Sequence, residues 1–219
     1  MRPTCLAARL CIYLMTALAL GAAPGCGMLP TVAYWINGNK VPAKFDGLKG
    51  KRVAVVCLDA NSLKGPGSEA DNIAKAVART LGYNVSEIKL VRQSEVADWF
   101  DNHDQDVADY ADIGRGVKAD MIVGIDLESF SVHEGQTLLK GRAAVITRVY
   151  DMQRGGDVVY ESPQREISWP ESGARHVTEN EANFRVAFIQ TLALKIAHEF
   201  YDYDAEDDYG LDAAFLGNN

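Results

Sequence analysis

The chain has 219 residues, with 30 acidic side chains against 22 basic ones and a formal net charge of −8. That balance argues against nucleic acid as a partner and against electrostatic adhesion to anionic lipid, since both need clustered positive charge. The length suits one domain with a sizeable core, or two only if both are small.

The amino-terminal segment carries the clearest signal. Arg2 and Arg9 precede an apolar run from Leu10 to Leu20, followed by Gly21-Ala22-Ala23-Pro24-Gly25-Cys26. The run is too short to span a bilayer and has the length of a signal h-region, so residues 1–25 read as an export signal. The small residues leading into Cys26 resemble a lipobox, although Ala23 stands where leucine is usual. Cleavage there leaves Cys26 to carry acyl groups, and more than one chain suffices for stable membrane anchoring. Two alternatives stay open: ordinary cleavage after Gly21-Ala22-Ala23, giving a soluble secreted or periplasmic protein, and an uncleaved anchor. Gly27 is not the aspartate that retains many lipoproteins in an inner membrane, which favours the periplasmic face of an outer membrane. Cys5 and Cys11 leave with the signal. That leaves Cys57, inside Val53-Ala54-Val55-Val56-Cys57-Leu58, as a small core residue.

Residues 26–50 mix Gly, Pro, Asn and Lys and read as a tether. The α/β domain is expected over 51–202, and 203–219 as an acidic flexible tail. Lys51 to Leu58 is a valine-rich run of the kind buried on both faces of a sheet. After the polar loop Asp59–Gly67, Ser68-Glu69-Ala70-Asp71 resembles a capping box for a helix with Ile73, Val77 and Leu81 at i+4 spacing, stopped at Gly82. Glu87–Val91 reads as a short strand, Ser94 as the cap of a helix bearing Trp99 and Phe100, and Asp106 as the start of another. Met121–Ile125 is a second buried strand, prolonged through Leu127 and Phe130 towards Val132.

Leu138–Tyr150 alternates, Arg154-Gly155-Gly156-Asp157 is a turn, and Val158–Glu161 returns as hairpin partner. Arg165–Trp169 either extends that strand past Pro163 or pairs at an edge. Thr178-Glu179-Asn180-Glu181 reads as a second capping box, opening a long helix with Phe184, Phe188, Leu192 and Ile196. The sum is β-α-β-α-α-β-β-β-α: an α/β chain of α+β character, one domain with a mixed sheet flanked by helices.

No motif demands catalysis. Gly65-Pro66-Gly67-Ser68-Glu69-Ala70 fits G-x-G-x-x-A, but six residues separate it from the strand and no acidic residue closes the next strand. Lys64, Gly65, Gly67 and Ser68 are therefore ligand-binding candidates only in the alternative in which this loop is a site. Asn102, Asp104, Asp106 and Asp109 suggest a calcium loop, yet Val107 and Ile113 occupy its glycine and glutamate positions. His103, His133, His176 and His198 lack the spacing of a helical metal site. Neither metal nor cofactor is expected, and the chain is read as a non-enzyme.

Four stretches together resemble a known group: Lys51-Arg52-Val53-Ala54-Val55-Val56, Asp71-Asn72-Ile73-Ala74 through Leu81, Leu90-Val91-Arg92-Gln93-Ser94-Glu95-Val96, and Lys118-Ala119-Asp120-Met121-Ile122-Val123-Gly124. With Val149-Tyr150-Asp151 before Gly155-Gly156-Asp157-Val158-Val159, they are similar to the α/β domain of periplasmic lipoproteins. That group includes the curli-secretion lipoprotein, the lipoprotein activators of penicillin-binding proteins, and the amino-terminal domain of TolB. The resemblance covers residues 51–162 and the last helix. It implies a non-catalytic role, binding an envelope protein partner or assembling into a complex, and it carries over no binding residues.

Overall fold

The computed structural model describes residues 40–59, 67–103, 109–171, 173–176 and 180–206. The expected export signal, Cys26, most of the expected tether, Lys64, Gly65 and the residues from 207 lie outside them. The chain divides into Met1–Lys40 and Val41–Asn219, and the elements that follow belong to the second unit.

The valine-rich run forms β1 (Arg52–Asp59) and serves two cores. Val53, Val55 and Cys57 join one, Ala54 and Val56 the other, so both faces are apolar. Helix α1 (Glu69–Asn84) is capped by Ser68, whose Oγ accepts the Asp71 N–H at 3.2 Å. The reciprocal arm differs from a standard capping box, because Asp71 Oδ2 accepts the N–H of Gly67 at 2.6 Å. Gly82 does not stop this helix, which continues to Asn84 with Val85 as C-cap. Its role is close approach: a Cβ at position 82 would stand 2.9 Å from Leu90 Cδ1.

The next strand, β2 (Lys89–Leu90), is shorter than its sequence suggests, and α2 (Gln93–Asp101) starts at once behind it. Ser94 therefore falls within the first turn, and Arg92 is the N-cap without a side-chain capping bond. An ion pair holds that turn instead, Arg92 Nε to Glu95 Oε1 at 2.8 Å. The expected helix start at Asp106 lies outside the described residues. The helix seen there, α3 (Tyr110–Gly116), is capped by Asp109 through the Ala111 N–H.

Two long strands, β3 (Met121–Glu134) and β4 (Leu138–Asp151), form the backbone of the sheet. Gly155 and Gly156 turn the chain at φ 76° and 97°, conformations that favour glycine, into β5 (Asp157–Glu161). The alternatives left open for Arg165–Trp169 resolve into a separate strand, β6, antiparallel to the first half of β4. A two-residue strand, β7 (Arg175–His176), also pairs with β4. The last helix, α4 (Glu181–Ala197), is capped by Asn180, whose Oδ1 accepts from Ala182 and Asn183. Thr178, the expected cap, lies outside the described residues.

The strand order is β2-β1-β3-β4-β5, with β6 and β7 also along β4. β1 runs parallel to β2 and β3, and the other pairs are antiparallel. This is the mixed α/β sheet the sequence pattern predicts. Helices α1 and α4 cover one face through Ile73, Val77, Leu81, Phe184, Phe188, Leu192 and Ile196. Burying each of the larger of these contributes about 1.5–3 kcal/mol. On the other face α2 and α3 pack Val96, Tyr110 and Ile113 over β1 and β3.

Ordered packing begins before residue 51. Leu48 is fully buried, Phe45 packs on the rings of Tyr160 and Phe200, and the Lys44 and Phe45 N–H groups both donate to the Glu199 carbonyl at 2.9 Å. Among the described residues no helix is long and apolar enough to cross a membrane.

Candidate functional site

Strand β1 stays in register with β3 only as far as Asp59 opposite Leu127. β3 then runs on alone from Glu128 to Glu134, paired with β4 on its far side. Among the described residues no strand occupies its near side. Two irregularities, between Leu127 and Ser129 and between Ser131 and His133, re-aim the side chains of this overhang. The first turns of α1 and α4 close the space beyond β1, leaving an open cleft of about 460 Å³ lined by Asp59, Glu69, Glu128, Phe130, His133 and Arg185 among others.

Ion pairs fix the cleft walls. Arg185 Nη1 meets Glu69 Oε1 at 2.7 Å and its Nη2 meets Glu181 Oε1 at 3.0 Å, while His133 Nε2 lies 3.3 Å from Glu181 Oε2. The chain thereby links β3, α4 and α1 at one end of the molecule. The Glu181 carboxyl titrates below its ordinary range, chiefly because Arg185 donates to it, with His133 adding a smaller effect. Both glutamates sit in first helical turns, where the helix dipole favours negative charge. Asp59, Glu69 and Glu128 stand with Arg185 and His133 among the described lining residues.

This is the end of β1 where the sequence locates the alternative ligand site, but the lining is different. Ser68 and the Gly67 N–H are engaged in capping α1, and Lys64 and Gly65 lie outside the described residues. Glu69, Glu128, His133 and Arg185 have no local motif to announce them. They come from three elements, α1, β3 and α4, and meet only through the fold. The nearest sequence signal is the prolonged apolar pattern through Phe130 and Val132.

The remaining candidates have structural employment. Asp109 caps α3, and Asn102 donates to the Asp98 carbonyl at 2.6 Å; Asp104 and Asp106 lie outside the described residues. Among the described residues no group of three or more His, Cys, Asp or Glu side chains could hold a metal ion. His103 stacks on Trp99 at 4.2 Å and His198 on Tyr203 at 3.7 Å. The Cys57 thiol is buried, and burial with the nearby Asp59 and Asp126 charges pushes its pKa up, keeping it protonated.

On the opposite sheet face Tyr110 Oη donates to Asp126 Oδ1 at 2.7 Å, and Arg148 bridges Asp126 and Glu161. This brace crosses three strands. At the sheet margin β5 carries an extra residue, Val159, opposite the Val149–Tyr150 step. Bulge and flanking acids, Asp157 and Glu161, blunt that edge against strand pairing.

The class defined by these features is a mixed α/β domain with an open, polar cleft beyond its central parallel strands. Among solved structures the chain is similar to the PelC dodecamer from Paraburkholderia phytofirmans, at 11% identity and TM-score 0.43, covering 74% of this chain and 95% of that one. It is also similar to lipoprotein GNA1162 from Neisseria meningitidis, at 12% identity and TM-score 0.43, covering 67% and 97%. A third is the LpoB C-terminal domain from Salmonella enterica, at 15% identity and TM-score 0.38, covering 57% and 87%. Lipoproteins, the group its motifs resemble, are thus among these structures. No protein-family model matches the chain, and no curated protein does.

Proposed function

We propose that this chain is a non-catalytic, lipid-anchored envelope protein, held at a periplasmic membrane face through Cys26, whose α/β body binds a partner protein. The signal layout before Cys26 supports the anchor. The observation that carries the binding role is where the cleft sits. Arg185, in the first turn of α4, lines it, whereas the chain arriving from the anchor docks beyond the last turn, at Glu199. Glu199 follows Arg185 by 14 residues along this helix and its C-cap, so about 21 Å separate the two. The cleft thus lies at the end of α4 opposite the one where Lys44 and Phe45 dock.

Site-specific crosslinkers at Ser131, Tyr83, Val158 and Val186, introduced into the full chain in intact cells, are expected to trap one discrete envelope protein from at least one position. Absence of any adduct at all four contradicts the proposal. A second reading, an exported small-ligand binder or enzyme using the loop 59–68, draws support from the same cleft, since open α/β sheets usually bind ligands beyond the carboxyl ends of their strands. It predicts that alanine at Lys64 and Ser68 abolishes the cellular role while the fold survives.

A further inference from the structure

We infer that the body has a second, electrostatic hold on its membrane: the edge where β1, β2 and β3 begin, with Lys49, Lys51, Lys89 and Lys118, lies on anionic lipid headgroups. This rests on the anchored reading proposed above and deepens it by naming the face that meets the bilayer.

The four lysines are scattered in sequence, and the sheet gathers them. The Lys89 N–H donates to the Lys51 carbonyl at 2.9 Å, which sets the starts of β2 and β1 side by side. On the other flank of β1 the Asp120 N–H donates to the Arg52 carbonyl at 2.7 Å, and the Arg52 guanidinium donates to the Val117 carbonyl at 3.4 Å. Lys118 stands between those two contacts in the chain. Lys49 sits in the turn closed by the Lys51 N–H on the Leu48 carbonyl at 3.2 Å. Lys49, Lys89 and Lys118 are exposed and Lys51 is half-buried. Among the described residues none of the four enters an ion pair. The acids at this edge are fewer and partly engaged: Glu95 bridges Arg52 and Arg92 at 2.8 Å each, and Asp120 accepts the Arg52 N–H at 2.8 Å. With Asp46 and Glu87 that makes four carboxylates against six cations, Arg52 and Arg92 included.

The net charge of −8 hides this local excess, and screening over about 8–10 Å lets the excess act apart from distant acids. Asp202, which accepts the Ala43 N–H, and Asp204 and Glu206 beyond it are the charges that oppose the contact. Two further observations favour lipid as the occupant. Tyr83, in the last turn of α1, is 82% exposed, the most of any large apolar side chain among the described residues. Its neighbour Gly82 packs against Leu90, next to Lys89. A tyrosine beside lysines suits the headgroup level, where the ring meets apolar chains and the hydroxyl stays wet. The chain from Cys26 also enters the domain here, since the turn bearing Lys49 leads directly into β1. An acyl anchor on Cys26 then holds this edge within reach of the bilayer and raises its effective concentration there.

The test uses the mature chain, residues 26–219, carrying Cys26→Ala so that no acyl group contributes. It is sedimented with vesicles of phosphatidylcholine alone or mixed with phosphatidylglycerol. Binding to the mixed vesicles that weakens with added salt, and none to phosphatidylcholine alone, is expected. Each lysine at an anionic surface is worth about fivefold in partition. Lys49→Gln, Lys89→Gln and Lys118→Gln together should therefore weaken binding by more than about tenfold. Tyr83→Ser should weaken it by a smaller factor, and Lys140→Gln, on β4, should leave it unchanged. No binding to the mixed vesicles, equal binding to both kinds, or binding indifferent to the triple substitution overturns the inference. Capture of a glutamate-rich peptide without capture of vesicles also overturns it and gives the edge to an acidic protein. The intact mass of the native chain separates this failure from that of the anchor. Acyl groups on Cys26 with no vesicle binding leave an anchored protein without the second hold.

Discussion

Arg185 and Glu69, 116 residues apart in sequence, meet at 2.7 Å between the start of α4 and the first residue of α1. The contact ties α4 to α1 and sets the width of the cleft. Both side chains are about one-third exposed, 34% and 39%, so water screens the pair. Replacing Arg185 with methionine should cost about 0.5–1 kcal/mol in urea unfolding, and the difference from wild type should shrink in high salt.

Glu199 is a different case. Its carboxylate is 1% exposed, 3.0 Å from Arg165 and 3.6 Å from Lys44. Burial, and then the Glu199 charge, push the Tyr160 phenol up to about 12. Removing the carboxyl with Glu199→Ala strands Arg165 and loosens the 41–48 segment, and should cost about 2–3 kcal/mol.

The same residue gives a pH signature. Burial raises its pKa above the ordinary 4.5, with Arg165 and then Lys44 opposing the shift only in part. The folded chain therefore favours the protonated acid more than the unfolded chain does. The stabilisation from that proton is complete below about pH 4.5 and is lost as pH rises through the raised value. Urea midpoints of wild type minus Glu199→Gln should fall as pH rises above about 4.5. A flat difference would mean that the carboxyl titrates normally.

Gly141 on β4 lies under the Phe188 ring, and a methyl there would overlap it. Gly141→Ala should cost about 1–3 kcal/mol through overpacking. Combined with Phe188→Leu, the two changes should be less than additive by more than about 0.5 kcal/mol, because the smaller side chain vacates the space.

The bulge at Val159 should matter for solubility. Deleting Val159 restores a regular β5 edge, and light scattering should then show association that wild type lacks at the same concentration.

Periodicity made most of the scaffold legible. The valine run of β1, the i+4 ladders of α1 and α4, and the alternation of β4 each reflect a face that must be buried, and burial leaves a pattern in sequence. Helix boundaries were less readable because competing residues decide them. Ser94 was displaced by an early start at Arg92, and Gly82 stayed helical because its lack of a side chain admits Leu90. β6 needed tertiary context, since Pro163 alone does not say which strand Arg165–Trp169 joins. The cleft was the least legible. Its end of β1 could be foreseen from topology, but Glu69, Glu128, His133 and Arg185 are ordinary surface residues until an overhanging strand and two helix starts bring them together.

The most direct test of an anchored binding protein is the intact mass of the mature chain extracted from its native membrane. The account predicts a mass equal to residues 26–219 plus acyl groups on Cys26. An unmodified chain beginning near Pro24 would contradict the anchor, and would shift attention to soluble ligands at the cleft.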